Sequence, residues 1–239
     1  MKHSLLIFSI FISAICLQAQ EKSALLMVHF GTTYDETRAK TLDAINEKAR
    51  SVFPELAFRE AYTSRIVIRR LKERGIDKQT PIEALLQLRL EGFTRVIVQG
   101  TTLLKGAEME SLRRDVARAE PFFREIRVGD PLLHDVADCA QVAGILAERH
   151  GDAADARKKS HVVLVGHGTY TPATATYSQI DHLLRSAGHD LFHVATLEGY
   201  PTYDTVLAEL KAAKARKVIL VPFLLVAGDH ASNDIADVT

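Results

Sequence analysis

Short apolar runs alternate with amphipathic stretches along almost the whole chain, and this alternation constrains the fold more than any other feature. The pattern predicts buried strands at 24–28, 56–61, 95–99 and 126–128, and again at 161–165, 191–197 and 217–221. Between them, apolar residues fall at helical spacing over 35–52, 66–72, 81–90, 108–118, 134–150, 173–187 and 203–213. A polar stretch at 152–159 reads as a linker. Strands that alternate with helices imply βαβ units and mainly parallel sheets.

The two halves also resemble each other. Arg95 to Gly106 matches Lys217 to Gly228 without a gap, at a constant offset of 122 residues. With one gap, Ala24 to Thr33 matches Val162 to Tyr170 in the same order. Two ordered matches favour two related units. The expected fold class is therefore α/β, two similar Rossmann-like lobes with parallel sheets facing a central cleft. Residues 20–133 would form the first lobe and residues 134–239 the second, which carries the chemistry. Ligands in such sheets bind beyond the carboxyl ends of the strands.

Charge excludes one class of partner. Lys plus Arg and Asp plus Glu number 30 each, and no basic stripe appears, so nucleic-acid binding is a poor reading. Residues 1–19 stand apart: a weakly basic start, an apolar run broken by small residues, and Ala19 at a cleavage position. The run is too short for a bilayer span, which needs roughly 20 apolar residues. It reads as a secretory signal peptide and implies a periplasmic protein with no stable membrane span. Cys16 offers lipid attachment as an alternative, although Ile15 before it is bulky for that role. Once Cys16 leaves with the signal, Cys139 is the remaining cysteine, and its apolar helical surroundings predict a buried, inert thiol.

Three motifs follow strands in the second half. Gly166-His167-Gly168 places a histidine between glycines that permit a sharp turn and close approach of a ligand. Glu198 precedes Gly199-Tyr200-Pro201, and His230 stands within Gly228-Asp229-His230-Ala231-Ser232-Asn233-Asp234. Each has a plainer reading: a turn histidine, a carboxylate paired with arginine, and helix caps at Asp229 or Asn233. Taken together, two imidazoles and a carboxylate at one sheet edge suit a divalent transition metal better than Ca²⁺ or Mg²⁺. His-Glu-x-x-His, Gly-x-Ser-x-Gly and the Walker pattern are all absent. His29, at the end of the first strand, is either a further cleft histidine or a packed one.

On these residues the chain resembles the anaerobic sirohydrochlorin cobaltochelatases of the class II chelatase superfamily, the CbiK type. The resemblance is carried by Phe30-Gly31-Thr32-Thr33-Tyr34, Ala61-Tyr62-Thr63-Ser64, Pro131-Leu132-Leu133, Gly166-His167-Gly168, Glu198-Gly199-Tyr200-Pro201 and Val226-Ala227-Gly228-Asp229-His230. It implies His230, His167 and Glu198 as metal ligands and catalytic groups, with Co²⁺, or else Fe²⁺ or Ni²⁺, as the substrate metal. The partner would be a carboxylate-rich tetrapyrrole, which Arg65, Arg69, Arg70 and Lys105 are candidates to meet. Two departures stand out. Relatives continue past the Gly-Asp-His motif into a final helix, so the second lobe reads as truncated at Thr239, and Gly100-Thr101-Thr102 replaces the Ser-Leu-His of some relatives. Export suggests a rival from another class, a haem-binding protein or dechelatase for haem-iron acquisition. A homo-oligomer is compatible with either.

Overall fold

The computed structural model of the chain describes residues 21–226. The signal-like segment, Cys16 and the motif containing His230 lie outside the described residues. Within them the expected alternation is present throughout. Strand β1 (Ser23–His29) leads through α1 (Asp35–Arg38), a π-helical turn and α2 (Ala44–Val52) to β2 (Ala57–Tyr62). Helices α3 (Arg65–Glu73) and α4 (Pro81–Leu90) precede β3 (Arg95–Gly100), and α5 (Ala107–Ala119) precedes β4 (Glu125–Val128). The second half runs α6 (Val136–His150), β5 (Ser160–Gly168), α7 (Ala175–Ser186), β6 (Phe192–Glu198), α8 (Tyr203–Ala212) and β7 (Lys217–Pro222).

Two parallel sheets result, ordered β2-β1-β3-β4 and β6-β5-β7. The most continuously buried strands, β1 and β5, take central positions, as parallel strands covered on both faces must. In the first lobe α4 and α5 cover one face through Leu85, Leu88, Met109 and Leu112. Leu42 and Leu71 pack with Tyr62 in a separate cluster. In the second lobe Cys139, Ala143, Ile180 and Leu184 pack from α6 and α7, while Val206 and Leu210 pack from α8. The Cys139 thiol is buried, and burial raises its pKa, which matches an inert packing role.

The lobes are not independent. Leu104, from the loop after β3, belongs to the apolar cluster of the second lobe. Leu133, from the segment after β4, joins the same cluster, and that segment is held to the loop after β3 where Leu133 N–H donates to Leu103 O at 2.8 Å and Leu132 N–H to Thr102 O at 3.0 Å.

A buried histidine pair lies at the end of the second sheet away from the cleft. His161 Nδ1 and His193 Nε2 are 2.9 Å apart, and His193 Nδ1 lies 3.1 Å from Glu209. Arg185 binds Glu209 and Asp181, which joins α7 to α8, and Val194 N–H donates to Asp181 at 3.1 Å, which fixes β6 to α7. Burial lowers the pKa of His161, and the neighbouring His193 lowers it further. His29 is lowered too, chiefly by burial. With folded pKa values below the ordinary value of about 6.5, both rings favour the neutral state, so their contribution to stability is present above that pH. It is lost as the pH falls through the folded values. The urea midpoint should therefore drop between about pH 7 and pH 5, and His161→Leu should flatten that drop.

Candidate metal centre and substrate cleft

The carboxyl ends of both sheets open into one cleft of about 580 Å³. Its walls are the loops after β1, β3, β5 and β6, the start of α3 after β2, and Leu224 to Val226 after β7. This is the placement that the rule for open α/β sheets predicts. At the first of these loops Gly31 has a φ of +94°, and an added Cβ would lie 2.4 Å from the Tyr62 ring. Glycine there lets the chain turn over Tyr62 and present Phe30 and Thr32 to the cleft.

His167 and Glu198 both line the cleft, and the sheet brings them there together. Gly168 pairs with Glu198 across β5 and β6, so the two candidate side chains stand on neighbouring strands at one edge. His167 Nδ1 lies 3.2 Å from the Gly168 carbonyl oxygen. A carbonyl can only accept, so Nδ1 carries the proton and Nε2 holds the lone pair that a metal would use. Gly168 N–H donates to the Tyr177 hydroxyl at 3.2 Å, which fixes the turn from below. Thr174 Oγ1 accepts from Tyr200 N–H and donates to Tyr200 O, both at 3.0 Å, and so clamps the loop after Glu198 onto the start of α7.

Sequence reasoning missed the role of Glu108, which also lines the cleft. Its side chain is open to cleft water, yet protein around it dehydrates the carboxyl and raises its pKa, an effect that nearby His167 partly offsets. The signal was available in the repeat, because the 122-residue offset places Glu108 opposite His230. Gly106, two residues before Glu108, abuts the second lobe: an added Cβ would lie 3.5 Å from Thr169 Oγ1.

Of the two readings of His29, the structure selects the packed one. Its ring is fully buried, with Nδ1 2.8 Å from Thr101 Oγ1 and Nε2 2.9 Å from Asn46 Oδ1. Of the four candidate cations, Arg70 lines the cleft, while Arg65, Arg69 and Lys105 are exposed residues outside its lining. Among the described residues no three His, Cys, Asp or Glu side chains gather closely enough to hold a metal. The third ligand that the resemblance implies, His230, lies outside those residues. The chain has already reached the cleft at Val226, four positions before it.

Two parallel α/β lobes whose strand ends enclose an imidazole and two carboxylates define a chelatase-type fold. SirB from Bacillus subtilis, solved with Fe³⁺, is similar in fold at a TM-score of 0.64 and 20% identity, over 91% of this chain and 82% of SirB. The sirohydrochlorin chelatase SirB from B. subtilis subspecies spizizenii, in complex with cobalt, gives 0.62 and 20% identity, over 91% and 81%. The chain belongs to the cobalt chelatase (CbiK) family, whose model matches residues 23–239. It is 35% identical over 216 residues to the sirohydrochlorin cobaltochelatase of Salmonella typhimurium, covering 90% of this chain and 80% of that protein. With the sirohydrochlorin cobaltochelatase CbiKC of Nitratidesulfovibrio vulgaris it shares 33% over 217 residues, 90% of this chain and 76% of the relative.

Proposed function

We propose that this chain is a chelatase that inserts Co²⁺, or else Fe²⁺, into sirohydrochlorin or a closely related tetrapyrrole. The observation that carries the reading is the placement of His167 and Glu198 at the ends of adjacent strands, in a cleft that also holds Glu108. Family membership supports the same chemistry. Insertion exchanges two pyrrole N–H protons for one divalent metal, so the site must hold the metal and accept protons. His167 Nε2 and the Glu198 carboxylate are the proposed ligands in the described residues, with His230 as the third. Neutral imidazole and carboxylate suit Co²⁺ and Fe²⁺, and each must be deprotonated to bind. Glu108, whose raised pKa brings it nearer the working pH, is the proposed acceptor of the first proton. Arg70 on the cleft wall is the proposed partner for a substrate carboxylate.

Glu108→Gln keeps the shape of the side chain and removes the base. It should lower kcat by about 10²-fold and leave KM for cobalt nearly unchanged; a comparable rise in KM would assign Glu108 to metal binding instead. The reading as a whole is tested by incubating the protein with Co²⁺ and sirohydrochlorin, and separately with haem. Multiple turnovers of cobalt–tetrapyrrole are expected. Tight haem binding without cobalt insertion would overturn the reading in favour of a haem-binding protein.

We further propose that the protein is exported to the periplasm. The support is the apolar, small-residue-punctuated segment at residues 1–19. Among the described residues no helix is long and apolar enough to cross a membrane. Mass spectrometry of the protein from its native host should find Gln20 at the N-terminus. An intact Met1 would contradict export by cleavage, and a diacylated Cys16 would establish a lipid anchor.

A further inference from the structure

A polar chain leads from the cleft into the first lobe. Thr101 follows β3 and lines the cleft, and its N–H donates to Val28 O at 2.8 Å, which sets it beside His29 at the end of β1. Its Oγ1 lies 2.8 Å from His29 Nδ1. On the far side of the ring, Nε2 is 2.9 Å from Asn46 Oδ1 and 3.6 Å from Glu60 Oε1. Asn46 Nδ2 donates to Glu60 Oε1 at 2.8 Å, and Lys78 pairs with the other oxygen of Glu60.

The donor inventory fixes the direction of these bonds. The Asn46 amide nitrogen faces Glu60, so its carbonyl oxygen faces His29 and must accept from Nε2–H. Neutral His29 then has its lone pair on Nδ1, and the Thr101 hydroxyl donates to it at 2.8 Å in preference to the Val28 carbonyl, its longer alternative acceptor at 3.4 Å. At rest this is a basic nitrogen one hydroxyl away from the cleft. The groups around the ring oppose one another: burial, the largest influence, and Lys78 disfavour the imidazolium and leave the resting ring neutral, while Asn46, Glu60 and Asp43 favour it. The Tyr62 ring meets it edge-on at 6.1 Å, and burial keeps that phenol protonated.

We propose that His29, acting through Thr101, receives the second of the two protons that leave the macrocycle as the metal enters. This rests on the chelatase reading above, in which Glu108 accounts for the first. No electrons are exchanged. A pyrrole N–H bond breaks as that proton binds Thr101 Oγ1, and the original Thr101 hydroxyl proton forms the Nδ1–H bond of His29. The imidazolium then donates through Nδ1 to Thr101 and through Nε2 to Asn46, with the Glu60 carboxylate beside it. Once product leaves, the proton returns over the same two bonds to water in the cleft. Lys78 offsets part of the Glu60 charge, which keeps the protonated state short-lived. His29 is on this account a positioning residue for the proton path, and the metal is held at the opposite wall.

The test uses the full chain with sirohydrochlorin and Co²⁺, comparing wild type, His29→Gln, Thr101→Val and the double variant. Each single change should lower kcat roughly tenfold, below the 10²–10⁴-fold typical of a directly placed proton acceptor. KM should stay unchanged for both substrates, and the solvent deuterium isotope effect should rise. The double variant should be no slower than the slower single, because both changes break one path. Unchanged kcat and isotope effect in Thr101→Val, or losses that multiply in the double variant, would overturn the assignment. If His29→Gln does not fold, Thr101→Val alone decides, since it removes only the hydroxyl link. Failure of the wild type to insert cobalt overturns the chelatase reading itself; an active wild type with a fully active Thr101→Val overturns only the role of His29.

Discussion

His167→Ala is expected to reduce cobalt insertion by at least about 10²-fold while leaving the thermal unfolding temperature close to that of the wild type. The two halves of that expectation have different physical sources. Stability survives because the imidazole contributes little to packing, standing half-buried at the cleft wall and outside the apolar clusters. Activity is expected to fall because the bond from Nδ1 to the Gly168 carbonyl leaves Nε2 as the proposed coordinating atom, and alanine supplies no such donor. Glu198→Gln should retain more activity, since an amide oxygen can still orient a metal although it binds more weakly than a carboxylate. Equal and complete loss in both variants would mean that the carboxylate does more than orient the metal. Wild-type rates in His167→Ala would remove this histidine from the mechanism.

Gly168→Ala should be damaging for the opposite reason, because it leaves every proposed ligand in place. Gly168 has a φ of +85°, where an L side chain is strained, and an added Cβ would fall 1.5 Å from the Glu198 carbonyl oxygen. The obstacle is backbone, so no rotamer change relieves it. Strands β5 and β6 must separate at the edge that carries His167 and Glu198. Overpacking and backbone strain each cost about 1–3 kcal/mol, so a loss of roughly 3 kcal/mol is expected. For a chain of this size that corresponds to about 6–12 °C in Tm. Calorimetry with a cobalt-insertion assay would test it: an unshifted Tm would show that the strand ends tolerate separation, contrary to the tight pairing described.

Most of the fold was legible because parallel strands buried on both faces write themselves as apolar runs. Residues 24–28, 161–165 and 217–221 read as strands, and β1, β5 and β7 lie over them. Helix α4 was legible to the residue, since Pro81 suits a first helical turn and the Glu83 carboxylate accepts from Thr80 N–H at 2.8 Å. What local pattern could not carry is long-range pairing. Leu104 looks like any apolar residue after a first-lobe strand, yet it packs in the core of the second lobe. His29 was ambiguous because its neighbours do not say whether the ring faces water or Asn46, and Asn46 reaches it from a helix. Glu108 occupies the position that matches His230, and a carboxylate in the first turn of a helix reads locally as an ordinary helix-start residue. A carboxylate becomes informative only when the opposite lobe closes over it.

The central claim is that the metal is held at the second-lobe wall of the cleft, with the first lobe left to take up protons. A crystal of the full chain soaked in Co²⁺ and measured at the cobalt absorption edge tests it most directly. One anomalous peak is predicted in the cleft, about 2.0–2.2 Å from His167 Nε2 with a Glu198 oxygen among its ligands. A peak bound at Glu108 and the first-lobe wall, or outside the cleft altogether, would contradict the account.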